Sequence, residues 1–151
     1  LIHWDHEFLG REALLAMTDK PHRRKVILKW NADDVVEVYR TLFEQGQMGM
    51  WMDMPSADYA IHPYDRVEQD GRLVGISGYP LYSANERAYL SVSVVDVAVA
   101  DPGTALSLVW GEPSGGTLKP SVHKHRQMHI RCEARPWPIY EAARQQYRSQ
   151  T

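Results

Sequence analysis

Short strand-like segments separated by turn signals recur through the second half of the chain, and they constrain its fold more than any other feature. Asp70-Gly71 is the clearest turn signal, because both central residues of the favoured two-residue hairpin turn need a positive φ. Alternating or β-branched segments flank this turn and continue along the chain at residues 66–69, 72–75, 89–97, 104–110 and 128–134. Strands at intervals of about ten residues predict a small antiparallel Greek-key barrel or sandwich.

The N-terminal part of the chain adds one more strand and a short helix. Residues 24–30 alternate, and their apolar positions Val26, Leu28 and Trp30 predict a half-buried strand. Gly10 precedes a run of strong helix formers over residues 11–17.

A second helix is predicted after Asn31, a residue that caps helix N-termini through its side-chain oxygen. Asp33 and Asp34 follow in the first turn, where the helix dipole favours negative charge. Its apolar side chains are expected at Val35, Tyr39, Leu42 and Phe43, and a short terminal helix is expected over residues 140–148. The predicted fold class is therefore α+β, mainly β, with two or three peripheral helices.

Composition excludes several classes of protein. The chain has 151 residues, of which 44% are hydrophobic, and this predicts one domain over residues 1–151 with its own core. A net charge of -2 gives no basic footprint for nucleic acid, and no apolar run approaches a membrane span. The single cysteine, Cys132, excludes an intramolecular disulfide and fits a reducing, cytoplasmic location. Because the chain begins at Leu1 and not at methionine, we expect a piece of a longer protein.

Four methionines alternate around Trp51, at positions 48, 50, 52 and 54. Two interpretations are open. The segment is either an irregular strand whose flexible side chains fill a gap in the core, or an adaptable apolar patch that meets another domain.

His123, His125 and His129 suggest a metal site, because on a regular strand all three side chains would share one face. The same face would carry Gln127 and Arg131, which favours a solvated strand surface instead. Known nucleotide-binding and hydrolase motifs are absent from the sequence, so no catalytic residue is predicted.

Residues 75–87 are polar, aromatic and rich in turn formers, although the flanking strands could be joined by a much shorter connection. Such a loop is typical of a binding or interface segment, and a structural crossover is the alternative.

Several motifs resemble, in the same order, the last domain of the glycine-cleavage T-protein (aminomethyltransferase) family. The stretch from Phe8 to Leu14 resembles F-x-G-[KR]-E-A-L, and the hairpin at Asp70-Gly71 is followed by Ser77-Gly78 and Ser83. Further matches are the basic strand start at 23–26, the turn at 102–104 and the proline-containing segment at 136–140. The methionine-rich insertion and the longer 79–87 segment look closer to tetrahydrofolate-dependent vanillate or syringate O-demethylases.

The resemblance implies a parent enzyme that moves a methyl or aminomethyl group from a small-molecule donor to tetrahydrofolate. It also implies a longer three-domain chain whose catalytic residues lie mainly in the two upstream domains, so that this barrel closes the folate channel and stabilises those domains. We expect the surface that contacts folate or a neighbouring domain to include Ser77, Tyr79, Tyr82, Ser83, Asn85 and Arg87, with Arg24 and Trp51 as second choices. The alternatives are a free-standing metal-dependent enzyme using the three histidines and an unrelated β-barrel binding module.

Overall fold

The computed structural model describes residues 4–18, 20, 22–57, 64–116 and 120–148. Its strands are β1 (Arg23–Trp30), β2 (Asp65–Gln69), β3 (Arg72–Ser83), β4 (Ala88–Asp96), β5 (Ala105–Trp110) and β6 (Met128–Arg135). Its helices are α1 (Arg11–Leu15), α2 (Ala32–Thr41) and α3 (Glu141–Arg148), with a 3-10 turn at Val97–Val99.

The six strands form a closed barrel in the order β1-β4-β3-β2-β5-β6, and every neighbouring pair is antiparallel. Because β1 lies beside β4 and β2 to β4 follow one another, the first four strands form a Greek key. Of the two predicted architectures, the barrel is therefore confirmed and the sandwich is not. A closed sheet also leaves no edge strand on which another chain could extend the ladder.

The predicted turns and caps explain where the elements begin. Asp70 and Gly71 adopt φ values of 52° and 75° between β2 and β3, as the hairpin motif requires. The side chain of Asn31 accepts a hydrogen bond from the backbone N–H of Asp34, so the predicted N-cap of α2 is confirmed. The prediction that Phe43 lies on the apolar face of this helix is wrong, because α2 ends at Thr41 and the Phe43 side chain is exposed.

A double contact holds α2 against β6. Arg131 donates to both carboxylate oxygens of Asp34 at 2.7 and 2.9 Å, and it also donates to the side chain of Asn31. These hydrogen bonds hold the pKa of Asp34 below its ordinary value. The cap and the carboxylate therefore fix the start of α2 to a barrel strand.

Aromatic and aliphatic side chains fill the inside of the barrel. Trp30 and Trp110 are buried and meet edge to face with ring centroids 5.4 Å apart. The apolar residues that surround them include Val26, Leu28, Val67, Val74, Leu108, Ile130 and Ala134, all buried. Burial of this many apolar side chains is the main source of stability for a domain of this size.

The methionine-rich segment divides between the two interpretations. Met50 and Met52 are buried in the core, whereas Met48, Met54 and Trp51 are exposed. The Trp110 indole N–H donates to the carbonyl of Met50 at 2.9 Å. One side of the segment thus fills the core and the other side faces outward.

The prediction of a loop over residues 75–87 is wrong for most of this segment. β3 continues through it to Ser83, and only residues 84–87 form the turn into β4. The pairing of β3 with β4 shifts by one residue between Gly78 and Leu81, where β3 carries a bulge. A bulge and small residues allow this segment to form a strand, although its composition is typical of a loop.

Candidate functional site

The turn between β3 and β4 forms a polar tip at one end of the barrel. Ser83 accepts a hydrogen bond from the backbone N–H of Glu86 at 3.3 Å, and Arg87 adopts a φ of 47°. The Lys29 ammonium on β1 lies 3.0 Å from the Glu86 carboxylate and fixes the tip to the neighbouring strand. Asn85 and Arg87 are exposed, so three of the predicted contact residues lie together on one short turn.

Tyr79 and Tyr82 lie on the same strand but in different surroundings. Tyr79 is in the β3 bulge, has a φ of 53° and is half exposed. A positive φ is a strained conformation for a large side chain and is commonest at functional positions. Tyr82 pairs with Tyr89 of β4, and its ring contacts the Tyr89 ring at 5.9 Å between centroids.

Tyr89 connects this end of the barrel to α2 and to the methionine-rich segment. Its hydroxyl lies 2.8 Å from that of Tyr39 and donates to the carbonyl of Asp53 at 2.7 Å. Burial raises the pKa of Tyr89 above its ordinary value, so the hydroxyl remains a neutral donor. Trp51 is exposed, and its indole N–H donates to the carboxylate of Asp53.

Ser77 lies inside the barrel and not on its surface. Its hydroxyl donates to Ser91 at 2.7 Å, and Ser91 also accepts the indole N–H of Trp30 at 2.9 Å. Ser93, the next inward residue of β4, is equally buried, but its hydroxyl has no hydrogen-bond partner among the described residues. The side chain of Ser77 is therefore part of a buried polar cluster and is not available to a ligand on the surface.

Arg24 lies away from the tip. It pairs with Val95, near the far end of β4, whereas the tip begins beside Ala88. The Arg24 guanidinium is 3.3 Å from the carboxylate of Asp101. The structure thus separates Arg24 from the residues of the tip.

The three histidines do not form a ligand set. His123 and His125 precede β6 in an irregular segment, so the three histidines do not lie on one regular strand, which a shared face would require. His129 is on β6 and contacts the hydroxyl of Ser107 at 3.2 Å. Among the described residues, no group of three or more His, Cys, Asp or Glu side chains is arranged to hold a metal ion.

His125 is a structural residue that the sequence did not single out as one. It is buried, its Nε2 accepts the backbone N–H of Glu112 at 2.8 Å, and its Nδ1 lies 2.8 Å from the carbonyl of His123. An Nε2 that accepts leaves the hydrogen on Nδ1, so the geometry selects the neutral Nδ1–H tautomer.

Asp65 completes the same turn from β2. It is buried and accepts the backbone N–H of Gly111 at 3.2 Å. Gly111 has a φ of 101°, and a β-carbon there would lie 2.8 Å from the ring of His125. Only glycine therefore allows the chain to turn so close to that ring.

A polar cleft of about 340 Å³ opens at the C-terminal end of α2. It is lined by Thr41, Glu44, Gln45, Gly46, Gln47 and Arg126. None of the residues predicted for the contact surface lies in it.

No helix in the described part of the chain is long and apolar enough to cross a membrane.

Comparison with known proteins gives two informative relatives. Syringate O-demethylase of Sphingobium sp. (strain NBRC 103272 / SYK-6) is 41% identical over 147 residues, which are 97% of this chain and 32% of that protein. Sesamin methylene transferase of Sinomonas sp. (strain No.22) is 27% identical over 124 residues, which are 75% of this chain and 27% of that protein. No protein-family model matches the chain.

The chain therefore spans about a third of the length of the curated relatives that it matches. Its closed six-stranded barrel agrees with the domain that the ordered motifs resemble. The resemblance to an O-demethylase barrel domain is therefore confirmed, because the chain matches one part of a syringate O-demethylase at 41% identity over almost its whole length.

Proposed function

We propose that this chain is the non-catalytic barrel domain of a longer, cytoplasmic, tetrahydrofolate-dependent enzyme that removes a methyl group from an aromatic methyl ether. The observation that carries the proposal is the 41% identity to a syringate O-demethylase over 97% of the chain. The second relative is named a methylene transferase, so both names describe transfer of a one-carbon unit. An aminomethyl donor is the alternative within the same family.

A supporting role is favoured by how the buried polar groups are used. The Asp65 carboxylate and both ring nitrogens of His125 contact backbone groups of the turns beside them. Groups bound in this way hold a turn in place and are poorly placed to exchange protons with a substrate. The upstream domains of the longer chain would then contain the chemistry, and the barrel would close the folate channel.

The polar tip is the part of the barrel we propose to face folate or a neighbouring domain. Asn85 and Arg87 are exposed there, and Ser83 shapes the turn that presents them. Tyr79 adds a half-exposed aromatic ring on the same strand, and Trp51 is exposed beside Asp53, whose carbonyl accepts the Tyr89 hydroxyl, whereas Tyr82 packs against the core. Folate combines a flat pterin with carboxylates, so an arginine beside aromatic rings suits its chemistry.

The test uses the full-length protein that contains this chain, supplied with syringate and tetrahydrofolate, and follows the demethylated phenol together with methyltetrahydrofolate. Arg87→Gly removes the guanidinium at a residue whose positive φ glycine adopts without strain. Asp70→Gly is the matched control, since Asp70 also has a positive φ but lies in the turn at the other end of β3.

We expect Arg87→Gly to raise KM for tetrahydrofolate by about tenfold, the effect of losing about 1.4 kcal/mol of binding, with Asp70→Gly unchanged. Equal behaviour of the two variants would remove the tip from the proposal. Absence of tetrahydrofolate-dependent transfer from any aromatic methyl ether would contradict the proposed function. Stoichiometric zinc or iron that is lost in His125→Ala would favour the metal-dependent alternative instead.

A further inference from the structure

β4 places Tyr89, Ser91, Ser93 and Val95 inside the barrel and Leu90, Val92 and Val94 on the outside. Its inward side is therefore part apolar and part polar, whereas the three outward residues are all apolar. An antiparallel strand between a core and solvent normally carries polar residues on its outer side. The apolar outer side of β4 therefore indicates an apolar environment outside the barrel.

The neighbouring strands extend this pattern, because directly paired residues project to the same side of a sheet. Val94 pairs with Ile76 of β3, and Leu90 pairs with Leu81 of β3. Val92 pairs with Ile27 of β1. We define the outer apolar face as Ile27, Ile76, Leu81, Leu90, Val92 and Val94.

Part of the outer apolar face is covered and part is open. Ile27 and Leu90 are only 5% and 7% exposed, but Ile76 is 39%, Val94 36% and Leu81 46% exposed. Ile76 and Val94 are directly paired and form one open patch, and Leu81 lies further along β3 beside the covered Leu90.

The bulge in β3 is what places Leu81 on this face. Ser77 points inward, so without an extra residue Leu81 would also point inward and Tyr82 outward. The extra residue reverses that order and leaves Tyr79 half exposed with a φ of 53°. A left-handed conformation costs a non-glycine residue roughly 1–2 kcal/mol. The fold thus tolerates strain in order to keep apolar side chains outside.

We infer that the outer apolar face is the docking surface for the part of the longer protein that this chain does not span. The inference rests on the proposed function only in that it requires a longer chain. The matched region is 32% of the syringate O-demethylase, so about two thirds of such a protein lies outside it and is available to cover the face.

The charges at the border of the face indicate what kind of surface fits it. The Lys29 ammonium is paired with Glu86 at 3.0 Å, and the Lys25 ammonium lies 3.9 Å above the ring of Trp137. Both cations are therefore engaged within the barrel itself. The surface that docks is apolar, formed by aliphatic or aromatic side chains of a neighbouring domain, because an acidic partner would find no free cations at these two positions.

Thiol labelling of the full-length protein tests the inference without any assay of catalysis. Ile76→Cys and Val94→Cys each place a small thiol on the face, and Val36→Cys on α2 is the matched control, since Val36 is also exposed in the barrel. The native Cys132 is buried. Each protein is treated with a maleimide under native conditions, and the modified peptides are quantified by mass spectrometry.

We expect the thiols at positions 76 and 94 to react at least tenfold more slowly than the thiol at position 36. The two face variants are independent, so one that fails to fold, as judged by circular dichroism, leaves the other to decide. Equal reaction rates at all three positions would overturn the inference. Protection that disappears on dilution would also overturn it, because the face would then be covered by a second copy of the chain.

These outcomes separate the docking surface from the proposed function. Protection of positions 76 and 94 in a protein that does not demethylate aromatic ethers would leave the docking surface standing and reject the activity. Fast labelling in a protein that does demethylate them would reject the docking surface alone.

Discussion

Ser91 and Ser93 offer a matched pair of substitutions inside the barrel. Both are buried serines on the inward side of β4, two residues apart. Ser91 accepts hydrogen bonds from the Trp30 indole and the Ser77 hydroxyl, at 2.9 and 2.7 Å, whereas the Ser93 hydroxyl has no partner among the described residues. The same change to alanine therefore removes two hydrogen bonds at one position and none at the other.

The two substitutions are expected to change the free energy of unfolding differently: Ser91→Ala lowers it, whereas Ser93→Ala leaves it unchanged or raises it. Ser91→Ala leaves two buried donors unpaired, and each such donor costs about 1–3 kcal/mol; we expect a loss of about 3 kcal/mol. Ser93→Ala removes a buried hydroxyl that is itself unpaired, so its loss is neutral or stabilises by up to about 1 kcal/mol. For a chain of 151 residues, these values correspond to a Tm lower by about 9 °C for Ser91→Ala and unchanged or slightly higher for Ser93→Ala.

Urea unfolding of the 151-residue chain, followed by far-UV circular dichroism, measures both values. Ser77→Ala is a useful third variant, since it removes one donor but leaves the Trp30 bond to Ser91 in place; we expect it to cost about 1 kcal/mol. Equal losses of stability for Ser91→Ala and Ser93→Ala would refute the reasoning, because the hydroxyls would then act through packing or bound water and not through the observed hydrogen bonds.

Two further predictions concern the turns and the α2 clamp. Asp34→Asn should destabilise the chain at pH 7, because it removes the charged acceptor of the Arg131 guanidinium, which holds the pKa of Asp34 below its ordinary value. Because the pKa of Asp34 is lower in the folded than in the unfolded chain, its carboxylate stabilises the fold at pH values above the unfolded pKa of 3.8. This stabilisation is lost as the pH falls through the folded-state pKa. Urea titrations should therefore show the stabilities of the Asp34→Asn variant and the unsubstituted chain converging in acid. Gly111→Ala and Gly103→Ala introduce the same strain at φ values of 101° and 92°. Only the first places its β-carbon within 3 Å of another group, the ring of His125, so thermal melting should show a loss for Gly111→Ala at least about 2 kcal/mol larger, and equal losses would contradict the clash.

The parts of the fold that were predicted from the sequence are those with a local cause. The Asp70-Gly71 turn depends on the backbone preferences of two residues, and the Asn31 cap depends on one side chain and the N–H group of Asp34. Such signals act within a few residues and do not depend on the rest of the chain. Alternating and β-branched segments between these signals placed five of the six strands close to their observed bounds, and only the end of β3 was misplaced.

The predicted contact surface was placed on a loop over residues 75–87, but in the structure β3 extends through this segment to Ser83. Glycine, proline and serine at positions 75–83 indicate a turn when neighbours are unknown, but β4 supplies a ladder partner along most of this stretch. Cross-strand pairing of this kind is a tertiary effect that composition does not report. As a result Ser77 lies inside the barrel, while Ser83, Asn85 and Arg87 remain at the tip.

Alternation in β4 was visible in the sequence, but its direction was not. Residues 90–94 read Leu-Ser-Val-Ser-Val, and the usual rule would turn the valines inward. Inside the barrel, Trp30 stacks on Tyr89 of β4 with ring centroids 5.6 Å apart, and its buried indole N–H needs an acceptor. Ser91 accepts that N–H at 2.9 Å, so the serines of β4 point inward and Leu90, Val92 and Val94 are left outside. The hydrogen-bond partner that a tryptophan on another strand requires thus favours this direction of β4, which the residues of β4 alone do not indicate.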